Sequence, residues 1–280
     1  MTWVSLHGRA AQFHSRMPLM RVNGVEIGAS RYPVRGRRLY VDSVNGAAGV
    51  AGESLYSPIS TLQAAIDRLD SYSQEDNAGA EIVIMPNHSE TVTGVGGLTF
   101  DVPGLSVIGL GTYNQRPRFL MDGGTTVTAL ISAADVALRN LQFASGHASV
   151  ATLFNITGKG AHIDQCEATD NTTSESFVLF ASATGAAGTA DGLKITNSRW
   201  VPLISSVDAT NFVNITDDIA DLIVDGNFVC HEGASATVGA LILQAGSKVM
   251  TRVQVTNNLF SSKVTAGDIL IDNGGSANSG

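Results

Sequence analysis

Apolar and polar residues alternate in short runs along most of the chain, and these runs recur at a nearly constant interval. Each recurring segment contains an alternating strand, then a polar or glycine corner, then an apolar or aromatic residue. The copies begin at Val107, Leu138, Ile163, Ile195, Val224 and Val255. The steps between them are 31, 25, 32, 29 and 31 residues, a spacing typical of stacked repeats.

A second strand follows each segment in the same phase. Its copies are Thr128–Ile131, Leu153–Ile156, Phe177–Phe180, Phe212–Ile215, Leu241–Leu243 and Ile269–Ile271. Both strands alternate with period two and neither has a helical period, so the repeating unit is a coil of β-strands. Coils stacked about 4.8 Å apart would join their inward Leu, Ile, Val and Phe residues into one core. The pattern predicts an all-β fold, a single-stranded parallel β-helix of about seven coils.

Asparagine occupies the corner in the three clearest copies, at Asn140, Asn197 and Asn257. Asparagine tolerates left-handed backbone angles and hydrogen-bonds nearby backbone groups, so it suits a tight corner. Equivalent asparagines can also form a ladder from coil to coil. We therefore favour a structural role for these residues over a role in a binding site.

A short capping helix is predicted near residues 60–72, before the first coil. An apolar stripe with helical spacing indicates this helix, and it consists of Leu62, Ala65, Ile66 and Leu69. Ser60 and Gln63 have the spacing of a capping box, with Ser60 as the N-cap residue. Such a helix can lie across the first coil and cover it.

The opposite end of the predicted rod has no comparable cap. The last strand, Ile269–Ile271, runs into a polar tail, residues 273–280, which we expect to be flexible. An open coil exposes a row of unpaired backbone groups. The end must be covered by the tail, by another subunit or by a neighbouring protein, and we expect a partner.

Three segments near the N-terminus resemble the opening of pectate-lyase-like right-handed β-helices. Leu39–Gly46, Ser57–Ile66 and Glu81–Thr91 are similar to a "YVD…G" strand, an "S-P-x-x-T-[LI]-Q-x-A-[IL]" helix and an "I-x-[VI]-x-P-G-x-Y-x-E" coil. Asn87-His88 departs from this pattern, replacing the usual glycine and tyrosine region. The resemblance covers residues 39–110 by motif and 110–272 by repeat style. It implies a right-handed β-helix and, because such openings are common in bacteriophage tailspikes and head decoration proteins, a virion protein.

The charge is divided unevenly between a basic arm, residues 1–38, and an acidic body. The arm has one acid and a formal charge of +6, whereas the other 242 residues have 10 basic and 24 acidic side chains, or −14. This asymmetry is typical of an interaction tail, although a solvated leader remains the alternative. We do not expect nucleic acid as a partner, because the acidic body would repel phosphate. We expect the arm to bind a partner protein through Arg9, Arg16, Arg21, Arg31, Arg35, Arg37 and Arg38.

The sequence contains few groups arranged for chemistry. Candidate acids are Asp164, Glu167 and Asp225, but Asp164 and Asp225 should lie two coils, about 10 Å, apart. Asp217-Asp218 reads as a solvated turn. We therefore expect structural or solvating roles for these acids and no enzymatic activity. The histidines lack metal-ligand spacing, so we expect no metal and no cofactor.

Two cysteines, Cys166 and Cys230, are too few for a disulfide framework, and Met1–Arg21 has no signal-peptide apolar block. No apolar run is long enough for a membrane helix. These features predict synthesis in a reducing compartment, the host cytoplasm, with no membrane partner.

Three functions are compatible with this pattern. The first is a virion structural protein, a capsid decoration or cement protein that forms a homotrimer and is anchored to the major capsid protein, or another virion protein, by its arm. The second is a short tailspike that binds or cleaves host surface polysaccharide. The third is a bacterial carbohydrate lyase, which we rank last because a secretion signal is lacking. A virion protein is the interpretation we favour.

Overall fold

The structure is a computed structural model, and it describes residues 20–22, 25–27, 36–72, 79–94, 96–172, 174–201, 210–231, 240–244, 248–262 and 269–272. In the arm, strands β1 (Met20–Val22) and β2 (Val25–Ile27) form an antiparallel hairpin. The tail at residues 273–280 lies outside the described residues.

The body consists of three parallel sheets. Sheet 1 has eight strands, in spatial order β3 (Arg38–Val41), β4 (Glu81–Ile84), β7 (Ser106–Gly109), β10 (Ala137–Arg139), β13 (His162–Asp164), β16 (Lys194–Thr196), β20 (Ile223–Asp225) and β24 (Gln254–Thr256). Sheet 2 has seven, which are β5 (Ser89–Val92), β8 (Arg118–Met121), β11 (Gln142–Ser145), β14 (Glu167–Asp170), β17 (Arg199–Val201), β21 (Phe228–His231) and β25 (Leu259–Ser262).

Sheet 3 also has seven strands, which are β6 (Leu98–Phe100), β9 (Ala129–Ile131), β12 (Val150–Ile156), β15 (Phe177–Ala183), β18 (Asn211–Ile215), β22 (Ala240–Gln244) and β26 (Ile269–Asp272). A further parallel pair, β19 (Ile219–Ala220) and β23 (Met250–Thr251), joins the last two coils at a corner. The chain visits sheets 1, 2 and 3 in turn and pairs each strand with its equivalent in the next coil. The predicted right-handed parallel β-helix is confirmed.

The two strand series predicted from the sequence are sheets 1 and 3. In sheet 3 the predicted alignment is wrong by three residues at one step, where Ile156 pairs with Ala183 instead of Phe180, and by one residue at the last step, where Ile271 pairs with Ile242. In sheet 1 the predicted register is confirmed. For example, Leu138 pairs with Ile163, and Ile163 pairs with Ile195. The strands of sheet 2 were not predicted, because each one follows its corner directly. Its inward residues, such as Phe143 and Trp200, were recognised only as the apolar ends of the recurring segment.

The core is a continuous row of aromatic rings that crosses from coil to coil. Ring centroids are separated by 5.4 Å for Phe119 and Phe143, 5.1 Å for Phe143 and Phe154, and 5.2 Å for Phe154 and Phe180. Phe180 also stacks on Phe212 at 4.5 Å. All five rings are fully buried, so the row ties successive coils together.

The corner asparagines adopt the backbone angles that the sequence predicted. Asn140, Asn197 and Asn257 have φ values of 57°, 50° and 55°, in the left-handed region that asparagine tolerates. The side chain of Asn140 bonds the carbonyl oxygens of Gly109 and Gly111 at 2.8 and 2.9 Å. The structural role is confirmed for this buried residue, whose amide nitrogen donates both of these bonds.

The polar ladder between coils lies one residue further along than the corner asparagines. The Asn258 Oδ1 atom accepts a hydrogen bond from the backbone N–H of Asn227 at 2.9 Å. The Asn227 Oδ1 atom accepts one from the N–H of Ser198 at the same distance. The Asn227 side chain is buried, so this ladder satisfies backbone groups inside the last three coils.

The predicted capping helix is present as α1 (Leu62–Asp70), and its residues Leu62, Ala65, Ile66 and Leu69 are all fully buried. The capping box is wrong, because the N-cap residue is Thr61 and it makes no side-chain cap bond.

Gln63 is used elsewhere. Its amide nitrogen donates to Asp67 at 2.7 Å, and its amide oxygen accepts from the N–H of Thr99 at 2.9 Å. The capping-box pattern failed because the acceptor for the helix N-terminus comes from the first coil. It is Glu90 in β5, which accepts from the N–H of Leu62.

Candidate functional site

One column of outward side chains runs along sheet 1 and contains two of the candidate acids. Register places Arg139, Asp164, Thr196, Asp225 and Thr256 in consecutive coils. Asp164 and Asp225 are therefore separated by the coil that carries Thr196, as the repeat predicted. Two coil spacings are about 10 Å, well beyond the distance of about 5–5.5 Å between the carboxylates of a retaining glycosidase.

Asp164 is held by three donors of its own chain. Its Oδ1 atom accepts hydrogen bonds from the Thr196 hydroxyl at 2.7 Å and from the Asn197 amide at 3.0 Å. Its Oδ2 atom lies 3.3 Å from the Arg139 Nε atom. These contacts neutralise the carboxylate and fix its orientation.

The same arrangement recurs two coils later around Asp225. The Thr256 hydroxyl donates to Asp225 Oδ1 at 2.6 Å, and the Asn257 amide donates to the same oxygen at 3.0 Å. These hydrogen bonds, the one from Thr256 first, lower the pKa of Asp225 below its usual value. We name this arrangement the Thr-Asn clamp: an aspartate held by the Thr-Asn pair of the following coil.

His162 lies beside the first Thr-Asn clamp. Its Nε2 atom is 3.0 Å from the Thr196 hydroxyl oxygen. Burial lowers the pKa of His162, while the carboxylate of Asp164 opposes that shift and the cations Lys194 and Arg139 add to it. The ring is therefore neutral at pH 7 and belongs to a hydrogen-bonded chain with Thr196 and Asp164.

Glu167 lies on the neighbouring outward face, in sheet 2. Its carboxylate oxygens are 3.0 Å from Arg116 Nη1 and 3.8 Å from Arg199 Nη1. Glu167 is thus paired with two cations, and its oxygens are directed to them.

The adjacent acids Asp217 and Asp218 occupy a corner, as predicted, but both are bonded. Lys248 lies 3.0 Å from Asp217 Oδ1, and the N–H of Asp218 donates to that oxygen at 2.9 Å. The hydrogen bond from Lys248 lowers the pKa of Asp217. Asp218 in turn accepts from the N–H of Val249 at 2.8 Å, so the pair joins two coils.

Two of the seven arm arginines are placed on the body of the chain. The Arg37 Nη1 atom lies 2.5 Å from Glu53 Oε1, and its guanidinium stacks 3.9 Å from the centre of the Tyr72 ring. Arg38 donates through Nε and Nη2 to Glu81 Oε2 at 3.0 and 2.8 Å. Arg21 lies in β1, and its side chain is outside the described residues, as are Arg9, Arg16, Arg31 and Arg35.

A polar cluster beneath α1 was missed by the sequence analysis. Glu90 occupies an inward position of the first coil, where the equivalent residue of the next coil is Phe119. Its Oε2 atom accepts from the N–H of Leu62 at 2.9 Å and lies 3.1 Å from His88 Nε2. The His88 side chain is fully buried, and its Nδ1 atom has no hydrogen-bond partner among the described residues.

The departure at Asn87-His88 explains why this cluster forms. Asn87 adopts φ 63°, so it performs the left-handed turn that glycine usually makes here. His88 then turns inward, where its Nε2 atom contacts the Glu90 carboxylate. In the sequence, the signal that could have indicated the cluster is Asn87 in place of the usual glycine, followed closely by His88 and Glu90.

The structure also bears on the expectations for the cysteines, for a metal site and for a membrane helix. Burial raises the pKa of Cys166 to about 12, which keeps it as an unreactive thiol. In the part of the chain that the structure describes, no three His, Cys, Asp or Glu residues are arranged to hold a metal ion. No described helix has the length and apolar character needed to cross a membrane.

Comparison with known proteins supports the fold. No protein-family model matches this chain, and no curated protein matches its sequence. A solved structure described as "Rhamnogalacturonan lyase" superposes with a TM-score of 0.53 at 13% identity and covers 87% of this chain. This chain spans 64% of the length of that lyase chain. The likeness establishes a pectate-lyase-like parallel β-solenoid.

Proposed function

We propose that this chain is a bacteriophage structural protein, a capsid decoration or cement protein that displays a β-helical knob and is anchored by its arm. The observation that carries the proposal is that each candidate acid of the body is bonded to donors of its own chain. Asp164, Asp225 and Glu167 hold neighbouring coils together. These carboxylates stabilise the stacking of the coils, and a display scaffold requires such stabilisation.

The charge distribution supports attachment through the arm. Residues 1–38 have a charge of +6 on a chain whose net charge is −8, and arginine is suited to bidentate contacts with carboxylates of a partner. Arg37 and Arg38 are engaged by Glu53 and Glu81, so they fix the base of the arm to the rod. The anchor in this proposal is the segment before them, with Arg9, Arg16, Arg21, Arg31 and Arg35.

Truncation of the arm tests this proposal, and the structure sets where the cut should fall. Gly36 packs so closely that a Cβ atom there would lie 2.4 Å from the Ala80 backbone nitrogen. A chain lacking residues 1–35 keeps Gly36, Arg37 and Arg38, and we expect it to fold with a β-rich circular-dichroism spectrum that lacks only the contribution of β1 and β2. It should fail to bind particles assembled without the protein.

A matched control tests the guanidinium groups while keeping the charge and the length of the arm, because lysine is also a cation but cannot make bidentate contacts. A full-length chain with the five outer arm arginines replaced by lysine should bind more weakly than the natural chain but more tightly than the truncated one. Full binding by the truncated chain would show that the arm is not the anchor.

The second candidate is a tailspike that binds or cleaves host polysaccharide, and the likeness to a chain named as a lyase favours it. A sugar-release assay with host surface polysaccharide distinguishes the two functions. The structural proposal predicts no release. Release of sugar by the natural chain that is lost in both Asp164→Asn and Asp225→Asn would overturn the structural proposal in favour of the tailspike.

A further inference from the structure

The outward face of sheet 2 presents a straight column of side chains along the rod. Strand register places one residue of each coil in this column, which consists of Ser89, Arg118, Gln142, Glu167, Arg199, Phe228 and Leu259. Successive members are about 4.8 Å apart. The column is charged in its middle part and apolar at its C-terminal end.

The charged part of the column has more cations than anions. Glu167 is the one acid among the seven column residues, and it lies closest to Arg116, which reaches it from the adjoining corner at 3.0 Å. The Arg199 Nη1 atom lies 3.8 Å from Glu167, and Arg118 donates to the neutral amide of Asn171. The three arginines therefore leave an excess of two positive charges here, on a chain whose net charge is −8.

The other acids of these strands do not oppose this charge. Glu90 and Asp170 occupy inward positions of sheet 2 and are half-buried and buried, respectively. Asp122, the next acid after β8, comes after that strand has ended. The outward face of sheet 2 is thus cationic on a body that is otherwise acidic.

The apolar part of the column adjoins Arg199. Phe228 is 37% exposed and Leu259 is 57% exposed, and they follow Arg199 in the next two coils. The guanidinium of Arg199 lies 5.3 Å from the centre of the Phe228 ring, so the cation and the ring form one unit. Half-buried Val201 lies on the same outward face as Arg199. Arginine and aromatic side chains are enriched in protein-binding surfaces.

We propose that this face binds an extended peptide segment of a partner protein, with two carboxylates four residues apart and an apolar residue two positions further. Arg118 and Arg199 are three coils apart, about 14 Å, and four residues of extended chain span about 13 Å. Residues separated by an even number of positions lie on the same side of an extended chain. The apolar residue then meets the rod about 7 Å beyond Arg199, between Phe228 and Leu259.

The aliphatic residues favour a peptide over an anionic polysaccharide. Arginine pairs with the carboxylates of either class. Leu259 and Val201, however, have no side-chain hydrogen-bonding group for sugar hydroxyls, whereas an apolar side chain of a peptide removes them from water. The inference does not rest on the virion function, and this face is separate from the arm.

Fluorescence anisotropy with two labelled peptides of about ten residues tests the proposal on the full-length chain. Both peptides contain two aspartates and one leucine among serines and threonines. The aspartates are four residues apart in the first peptide and three in the second, where they face opposite sides of the extended chain. The basic arm attracts both alike because their charges are equal. We expect the first peptide to bind at least about fivefold more tightly, and equal affinities, or no binding of either, would overturn the proposal.

Variants of the chain locate the binding. Arg199→Gln should abolish the preference for the first peptide. Arg252→Gln, the matched control, removes the same charge from an exposed arginine that is paired with Asp221 and should keep the preference. Phe228→Ala is an independent test of the apolar contact and should weaken the first peptide several-fold without changing the circular-dichroism spectrum.

Three results would contradict this assignment. A preference that persists in both Arg199→Gln and Phe228→Ala would show that the peptide binds elsewhere. Tighter binding of the polyuronate alginate than of the first peptide, also lost in Arg199→Gln, would assign the face to an anionic polysaccharide. An oligomer in sedimentation that Phe228→Ala dissociates would assign it to a second copy of this chain.

Discussion

The Glu90 Oε2 atom accepts a hydrogen bond from the backbone N–H of Leu62 at 2.9 Å and so joins the first coil to the first turn of α1. Helix N-terminal N–H groups have no partner within the helix, and a carboxylate there also interacts favourably with the helix dipole. Glu90 is separated from Leu62 by 28 residues, so this cap is a tertiary contact between the helix and the rod.

We expect Glu90→Ala to destabilise the protein by about 1–3 kcal/mol, because the substitution removes a charge-assisted bond and leaves buried His88 without a partner. The free energy of unfolding in urea would measure the loss. Thr91→Ala, at the exposed neighbouring position, is the control and should change little. Equal values for the two variants would mean that Glu90 does not hold the cap.

The aromatic row should contribute strongly to stability. Phe180 contacts Phe154, Phe212 and Trp200, with ring centroids 4.5 to 6.3 Å apart. Phe180→Ala would leave a cavity at the junction of these rings, and we expect a cost of about 3–5 kcal/mol. Tyr56→Ala, at a 99% exposed side chain, should cost less than about 0.5 kcal/mol. A small loss for Phe180→Ala in urea unfolding would indicate that the coils do not depend on the row.

The sequence was sufficient for the fold because a parallel β-helix repeats both its strands and its corners. Residues such as Leu138 and Asn197 could be assigned to a strand and a corner from their spacing alone. The capping helix came from the helical spacing of its apolar residues, and the handedness came from the resemblance of residues 39–110 to known β-helices.

The contacts between coils could not be predicted from the same pattern. The Thr-Asn clamp joins Asp225 to residues 31 and 32 positions away, and both partners looked like ordinary strand and corner residues. Glu90 likewise stands at a position that Phe119 fills one coil later. Its role depends on the helix above it, which the local sequence around β5 does not contain.

The two cysteines should differ in reactivity. Burial raises the pKa of Cys166 to about 12, and the thiolate is the form that reacts. At pH 8 we expect a thiol reagent to label Cys230, which is half-buried, and to label Cys166 only after denaturation. Labelling of native Cys230→Ser at the rate of the denatured chain would contradict this expectation.

His162 should make the free energy of unfolding fall as the pH drops below about 6.5, the pKa of an unperturbed histidine. Burial lowers its pKa in the folded chain relative to about 6.5 in the unfolded chain. The unfolded chain therefore binds more protons in this range, and the contribution of neutral His162 is complete above pH 6.5 and is lost as the pH falls through the folded pKa.

The urea midpoint should accordingly fall from pH 7.5 to pH 5, and His162→Gln should reduce that fall because glutamine can donate to Thr196 without titrating. His147→Gln, at an exposed position, provides the comparison and should retain the natural pH dependence. If His162→Gln and the natural chain lose the same stability on acidification, then proton uptake by the buried ring is not the cause, and the hydrogen-bonded chain from His162 through Thr196 to Asp164 does not control the response.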